Sequence, residues 1–126
     1  GIKLIPFLNS SNYLKTFTEV DPLNAARMAL FELLPRGQFS LDMLAESLDK
    51  DEQTLSAELK RAGTSYQQLL GDTRRELAEE YITRADLTVN EIAYMLGFSD
   101  CSNFARSFRR WTGTSPTDFR ENMKSH

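Results

Sequence analysis

Apolar residues recur at helical spacing from Pro22 onward, and this pattern predicts a chain built of short helices. Asp21 suits the cap before the first helix, and Pro22 suits its first position. The helix is expected to end at the Pro-Arg-Gly segment 35–37, which is a strong helix breaker. Residues 1–21 show no clear periodicity, and we interpret them as a linker or as the tail of a preceding domain.

An internal repeat organises the rest of the chain. Segment 40–48 matches segment 88–96: each starts with a Ser or Thr at the cap position and places apolar residues at the same offsets around one alanine. Segments 63–69 and 113–119 match in the same way, and each starts with Gly-Thr-Ser. The chain therefore contains two copies of a unit with the order helix, tight turn, helix, glycine stop and capped helix. Two copies are too few for a solenoid.

Each copy has the features of a helix-turn-helix unit. Such a unit needs a small residue where its two helices cross, which Ala45 and Ala93 supply, and a tight turn between them. Gly97 fits the turn of the second copy, and Asp49 takes its place in the first, since Asp tolerates a left-handed backbone better than most residues. The pattern predicts an all-α fold, with a first unit over residues 22–84, which includes a linker helix over 65–84, and a second unit over 85–126.

The second helix of each unit is predicted to bury one face and to expose the other. The buried set is Leu55, Leu59 and Ala62 in the first unit and Phe104, Phe108 and Trp111 in the second. The spacing of the aromatic residues favours a core over a base-stacking surface. The outward set is Gln53, Ala57, Lys60 and Arg61 in the first unit and Ser102, Arg106, Arg109 and Arg110 in the second.

A long helix is predicted to join the two units over residues 65–84, with Ser65 as its cap. Gly71 interrupts its apolar pattern at a cost of about 1 kcal/mol. A helix of that length spans roughly 30 Å, and one turn of B-DNA is about 34 Å. Such a spacer would set two recognition helices into neighbouring major grooves.

Composition excludes several classes of function. The 126 residues carry a net charge of −3, one Cys and one His, which is the last residue. An internal disulfide, a Cys-based zinc site and His-based catalysis are therefore excluded. No nucleophile–base pair and no phosphate-binding glycine loop is recognisable, so we predict no enzyme, no metal and no cofactor. No apolar stretch approaches the roughly 18 residues of a membrane helix, and DNA binding has to come from a local basic patch.

The second unit resembles AraC/XylS-type transcription regulators. The resemblance lies in Ile92-Ala93, in the Gly-Phe-Ser-Asp of 97–100, in the Ser-Asn-Phe of 102–104, in the Phe-Arg-Arg of 108–110 and in the Gly-Thr-Ser-Pro of 113–116. It covers about residues 22–124. It implies a seven-helix domain that binds double-stranded DNA, in many relatives after an effector-binding or dimerising domain, and it places the chain in the bacterial cytoplasm, on the nucleoid when bound to DNA.

By the same resemblance, the base-reading positions fall on Cys101, Ser102, Asn103 and Arg106 in the second unit and on Gln53, Ser56 and Ala57 in the first. The alternative for Ser102 and Asn103 is helix capping, and the alternative for Gln53 and Arg106 is a solvated side chain. The candidate phosphate contacts are Arg109, Arg110, Lys60, Arg61, Arg74 and Arg75, for which a solvated face is again the alternative.

The two units differ in charge. Residues 40–62 hold three basic and six acidic residues, whereas residues 98–124 hold five basic and three acidic ones. Ala57 also stands where relatives often carry Arg. The leading hypothesis is a sequence-specific DNA binder that controls transcription. The alternative is a module whose acidic first unit binds protein, such as RNA polymerase, while the second unit holds DNA.

Overall fold

The computed structural model describes residues 21–124, which form seven α-helices and one short 3-10 helix. The helices are α1 (Pro22–Leu33), α2 (Leu41–Ser47), α3 (Glu52–Arg61), α4 (Tyr66–Tyr81), α5 (Val89–Met95), α6 (Cys101–Thr112) and α7 (Pro116–Lys124), and the 3-10 helix is Leu34–Arg36. No strand occurs in these residues, so the predicted all-α fold is confirmed. The first 20 residues, predicted to be a linker, lie outside the described part.

Side-chain caps start most of the helices where the sequence places them. The Asp21 carboxylate accepts the backbone N–H of Asn24 at 3.2 Å, and the Ser65 hydroxyl accepts that of Gln68 at 3.1 Å. Thr88 and Glu91 form a complete capping box at the start of α5. Ser40 is an exception: it precedes α2, but its hydroxyl donates to the Asp42 carboxylate instead of capping the helix.

The turns within the two units have the backbone conformation that the repeat predicts. Gly97 has a φ of 80°, and Asp49 has a φ of 57°, the only positive φ of a non-glycine residue in the described chain. The positive φ is needed because the chain must reverse between two helices within a few residues. The first unit therefore makes its turn with Asp49, whose β-carbon is less favourable than a glycine in this left-handed conformation.

One continuous core runs through both units. It is formed by leucines of the first unit and α4 together with Ile92, Leu96, Phe104 and Phe108 of the second. Phe108 packs edge-on against Phe119 of α7, with ring centroids 5.4 Å apart. Phe104 and Phe108 of α6 are therefore core residues, as predicted, whereas Trp111 is only partly buried and packs against this core. Ala62 was wrongly placed in this core: α3 ends at Arg61, and Ala62 is exposed at its end.

Helix α4 connects the two units without a break at Gly71, but it is shorter than predicted. It ends at Tyr81, so its 16 residues span about 24 Å. The chain tightens there, because Thr83 and Arg84 donate their N–H groups to carbonyls three residues back. The Arg120 guanidinium of α7 then binds the carbonyls of Ile82 (3.1 Å) and Arg84 (2.8 Å), which fixes the end of the connection to the second unit.

Candidate nucleic-acid interface

Helix α6 presents one polar face to solvent. Its first turn is capped by Asp100, whose carboxylate accepts the N–H of Asn103 at 2.8 Å. Phe104 and Phe108 are fully buried on the inner side. The face opposite them carries Ser102, Arg106 and Arg109, with Arg110 beside it, and all four are exposed as predicted.

Asn103 and Cys101 are less accessible than the other predicted base readers, and both are only partly exposed. The Asn103 amide donates to Ser99 Oγ at 3.0 Å and to Asp100 Oδ2 at 3.3 Å, while its oxygen accepts a hydrogen bond from Arg106. Asn103 therefore links the cap of α6 to the central arginine of the exposed face. Its side chain donates to the cap residue and accepts no backbone N–H, so capping by Asn103 is not what these contacts show, and base reading by Asn103 stays a prediction.

Helix α3 is the corresponding element of the first unit. Leu55 and Leu59 are buried, and the outer side exposes Gln53, Ser56, Ala57, Lys60 and Arg61. Asp51 caps the helix by accepting the N–H of Thr54 at 2.7 Å. That backbone hydrogen bond holds the pKa of Asp51 below its usual value, so the carboxylate is committed to the helix end.

The acidic residues of the first unit do not all lie on the exposed face of α3. Glu58 of α3 pairs with Lys50 of the turn, Oε1 to Nζ at 2.8 Å, and both side chains are only 13% exposed. Glu58 is therefore neutralised beneath the helix and not displayed beside Ala57. The sequence did not reveal this pair, because eight residues and a turn separate its members.

Four basic side chains next to the two exposed faces are free to bind an anion. Lys60, Arg61, Arg109 and Arg110 are exposed, and none has a carboxylate partner within residues 21–124. They flank the outer faces of α3 and α6 toward the ends of these helices. The arrangement suits contact with phosphates on either side of an inserted helix.

The two arginines of α4 differ from that group. Arg75 is exposed but pairs with Glu79 at 3.0 Å. Arg74 is partly buried, and its guanidinium donates to the carbonyls of Leu96 and Gly97 at 2.8 and 3.0 Å. Two of the five N–H donors of Arg74 are therefore used inside the protein, and its phosphate contact stays a prediction that the remaining donors would have to make.

Two other kinds of site are absent from the part of the chain that the structure describes. No three His, Cys, Asp or Glu side chains are grouped so that they would bind a metal ion. None of the helices α1–α7 combines the length and the apolarity of a membrane-spanning segment.

The comparisons with known proteins agree with this geometry. Residues 44–122 match the family model of a helix-turn-helix domain. The ornithine utilization regulator of Pseudomonas aeruginosa is 47% identical over 81 residues, which are 64% of this chain and 24% of the relative. The urease operon transcriptional activator of Escherichia coli is 33% identical over 104 residues, which are 82% of this chain and 35% of the relative. The chain thus spans about a quarter to a third of these relatives.

Solved structures share the fold. The DNA-binding domain of AdpA, a global transcriptional factor solved in complex with a target DNA, superposes with a TM-score of 0.68 at 26% identity and covers 83% of this chain and 95% of that one. The C-terminal domain of AraT, a response regulator from Geobacillus stearothermophilus, gives a TM-score of 0.68 at 28% identity and covers 79% of this chain and 84% of that one.

Two helix-turn-helix units with exposed second helices define a DNA-binding domain of a transcription regulator. More narrowly, the chain belongs to the AraC-type helix-turn-helix family, as the residues of the second unit indicated. The comparisons give no support to the alternative of a protein-binding first unit.

Proposed function

We propose that this domain binds one face of a DNA duplex by inserting α6 and α3 into adjacent major grooves. The observation that carries the proposal is the pair of exposed helix faces, each with polar side chains on its outer side and with basic side chains beside them that have no carboxylate partner in the described residues. Arg106 is the central side chain of α6, and its guanidinium suits a bidentate contact to guanine O6 and N7. Ser102 and Cys101 lie next to it and approach neighbouring base edges.

Helix α3 reads bases through Gln53 and Ser56 in this proposal, and Ala57 leaves room for a thymine methyl group. Lys60, Arg61, Arg109 and Arg110 bind phosphates and fix the register of the helices on the duplex. The half contacted by α6 is specified more strongly, because the face of α3 has no arginine at its centre. In this proposal the protein is a regulator without enzymatic activity that acts in the bacterial cytoplasm. Dimerisation is supplied by a domain that is not part of this sequence, and RNA polymerase is a further partner.

Selection from a random duplex library, followed by hydroxyl-radical footprinting on the selected sequence, tests this proposal. We expect an enriched sequence and protection of two backbone regions about one helical turn apart. Protection of a single groove, or no enrichment, would contradict it. The Arg109→Ala variant should weaken binding to selected and shuffled duplexes alike and reduce the salt dependence, since one phosphate contact is lost. Arg84→Ala is the matched control, because Arg84 already pairs with Asp86.

A further inference from the structure

Arg74 contacts both helix-turn-helix units at once. Its guanidinium carbon lies 4.8 Å from the ring centroid of Phe39 and 4.2 Å from that of Phe98. Phe39 lies two residues before the start of α2 in the first unit, whereas Phe98 lies in the turn between α5 and α6. The arginine is carried by α4, the helix between the units, and both of these aromatic rings pack on its cation.

The hydrogen bonds of Arg74 go to the turn of the second unit. Nε donates to the Leu96 carbonyl at 2.8 Å and Nη2 donates to the Gly97 carbonyl at 3.0 Å. These bonds need the flat, forked guanidinium group, which a lysine ammonium does not reproduce. No carboxylate pairs with Arg74 in the described chain. Burial lowers its pKa from the usual value, so the protein accepts a desolvated cation at this place.

The surrounding contacts leave little room for the units to shift. A β-carbon at Gly97 would lie 2.6 Å from Phe39 Cε1 and 3.1 Å from the Leu34 carbonyl oxygen, so the second unit touches the first directly. The Tyr66 hydroxyl of α4 donates to the Phe39 carbonyl, which ties the backbone of Phe39 to α4. We call Phe39, Tyr66, Arg74, Gly97 and Phe98 the interunit joint.

We propose that Arg74 is a positioning residue that holds the two units in one relative orientation and thereby fixes the spacing of the two DNA half-sites. The spacing part rests on the proposed two-groove function. A domain whose two recognition helices are already held in the binding-competent arrangement does not lose affinity through a low population of that arrangement. If loss of the joint leaves about one-tenth of the molecules aligned, the affinity falls about tenfold.

A first experiment measures the joint without DNA. Spin labels at Met43→Cys and Tyr94→Cys, two exposed positions on α2 and α5, report the distance between the units in a Cys101→Ser background. We expect a narrow distance distribution with Arg74 in place and a broader one for Arg74→Met, with Arg74→Lys between them. Phe39→Leu removes the aromatic ring that the first unit contributes to the joint and should broaden the distance distribution as well. If Arg74→Met does not fold, the distribution of Phe39→Leu shows whether the joint holds the two units. Arg75→Met is the matched control, and it should leave the distribution narrow.

A second experiment measures spacing on DNA, using the selected duplex and versions with one base pair inserted or removed between its halves. The unchanged domain should lose at least about tenfold in affinity when the spacing changes, and Arg74→Met should bind the original duplex about tenfold more weakly but lose less on insertion. Unchanged distance distributions in Arg74→Met and Phe39→Leu, or a variant that is less stable but keeps the original spacing profile, would overturn the proposal. A broadened distribution together with a single-groove footprint would instead support the joint and contradict the two-groove function.

Discussion

Lys50 and Glu58 form an ion pair that joins the turn of the first unit to its recognition helix, with Nζ and Oε1 2.8 Å apart and both side chains 13% exposed. In the second unit the turn carries Phe98, which packs on Phe104 with centroids 5.6 Å apart. The two copies thus hold equivalent helices by different physical means: one uses charge, and the other uses aromatic packing.

Removal of Glu58 should destabilise the first unit. Glu58→Ala leaves the Lys50 ammonium largely shielded from water without its partner, so we expect a loss of about 1–3 kcal/mol, between the values for exposed and buried pairs. Urea unfolding measures it. Glu79→Ala breaks the exposed pair with Arg75 and is the control, with an expected change within about 0.5 kcal/mol. Equal losses in the two variants would show that the Lys50–Glu58 pair is not specially shielded.

Asp51 should contribute to acid sensitivity. Hydrogen bonds from α3 lower its pKa in the folded state, so the unfolded chain takes up the proton first. The stabilisation is complete above the unfolded pKa and is lost as the pH falls through the lowered folded value. Asp51→Asn keeps a good cap without the titration, so unfolding free energies measured from about pH 7 to pH 3 should fall less steeply than for the unchanged domain. Asp72→Asn, an exposed site within α4, is the control; a curve for Asp51→Asn as steep as that of the unchanged domain would contradict the assignment.

Gly97 should tolerate a side chain less well than Gly113 does. Both have a left-handed backbone, with φ of 80° and 87°, so an alanine pays about 1–2 kcal/mol at either place. Only at Gly97 does the added carbon meet neighbours, the Phe39 ring and the Leu34 carbonyl. Gly97→Ala should therefore cost a further 1–3 kcal/mol or so, the usual effect of overpacking. Thermal or urea unfolding of the two variants measures the difference, and equal costs would contradict the close approach of the units.

Local patterns were sufficient to predict most of the fold. The caps, glycine stops and apolar spacings act within a few residues, so the helices and both exposed faces follow from the sequence. Two predictions failed for local reasons as well. The Ser40 hydroxyl donates to the Asp42 carboxylate and does not cap α2, and α4 ends before residue 84 because its last turn tightens.

Local sequence patterns did not predict the contacts between residues that are far apart in the chain. Arg74 binds carbonyls 22 and 23 residues away, and Arg120 binds carbonyls 38 and 36 residues away. Helical spacing places Arg74, unlike Arg75, beside the buried stripe of Leu70, Leu77 and Ala78, but it does not show which distant groups Arg74 contacts. Counting charges also failed for Glu58, because a count does not show which carboxylates are paired.

The affinities of Arg106→Ala and Gln53→Ala for one selected duplex and its shuffled version show whether α6 is the main base-reading helix. We expect Arg106→Ala to lose about 1–3 kcal/mol on the selected duplex, the value of a bidentate base contact, and much less on the shuffled one. Gln53→Ala should lose less than Arg106→Ala on the selected duplex. Equal weakening of both duplexes by Arg106→Ala would make Arg106 a phosphate contact, and a loss at Gln53 as large as that at Arg106 would contradict the dominance of the second unit.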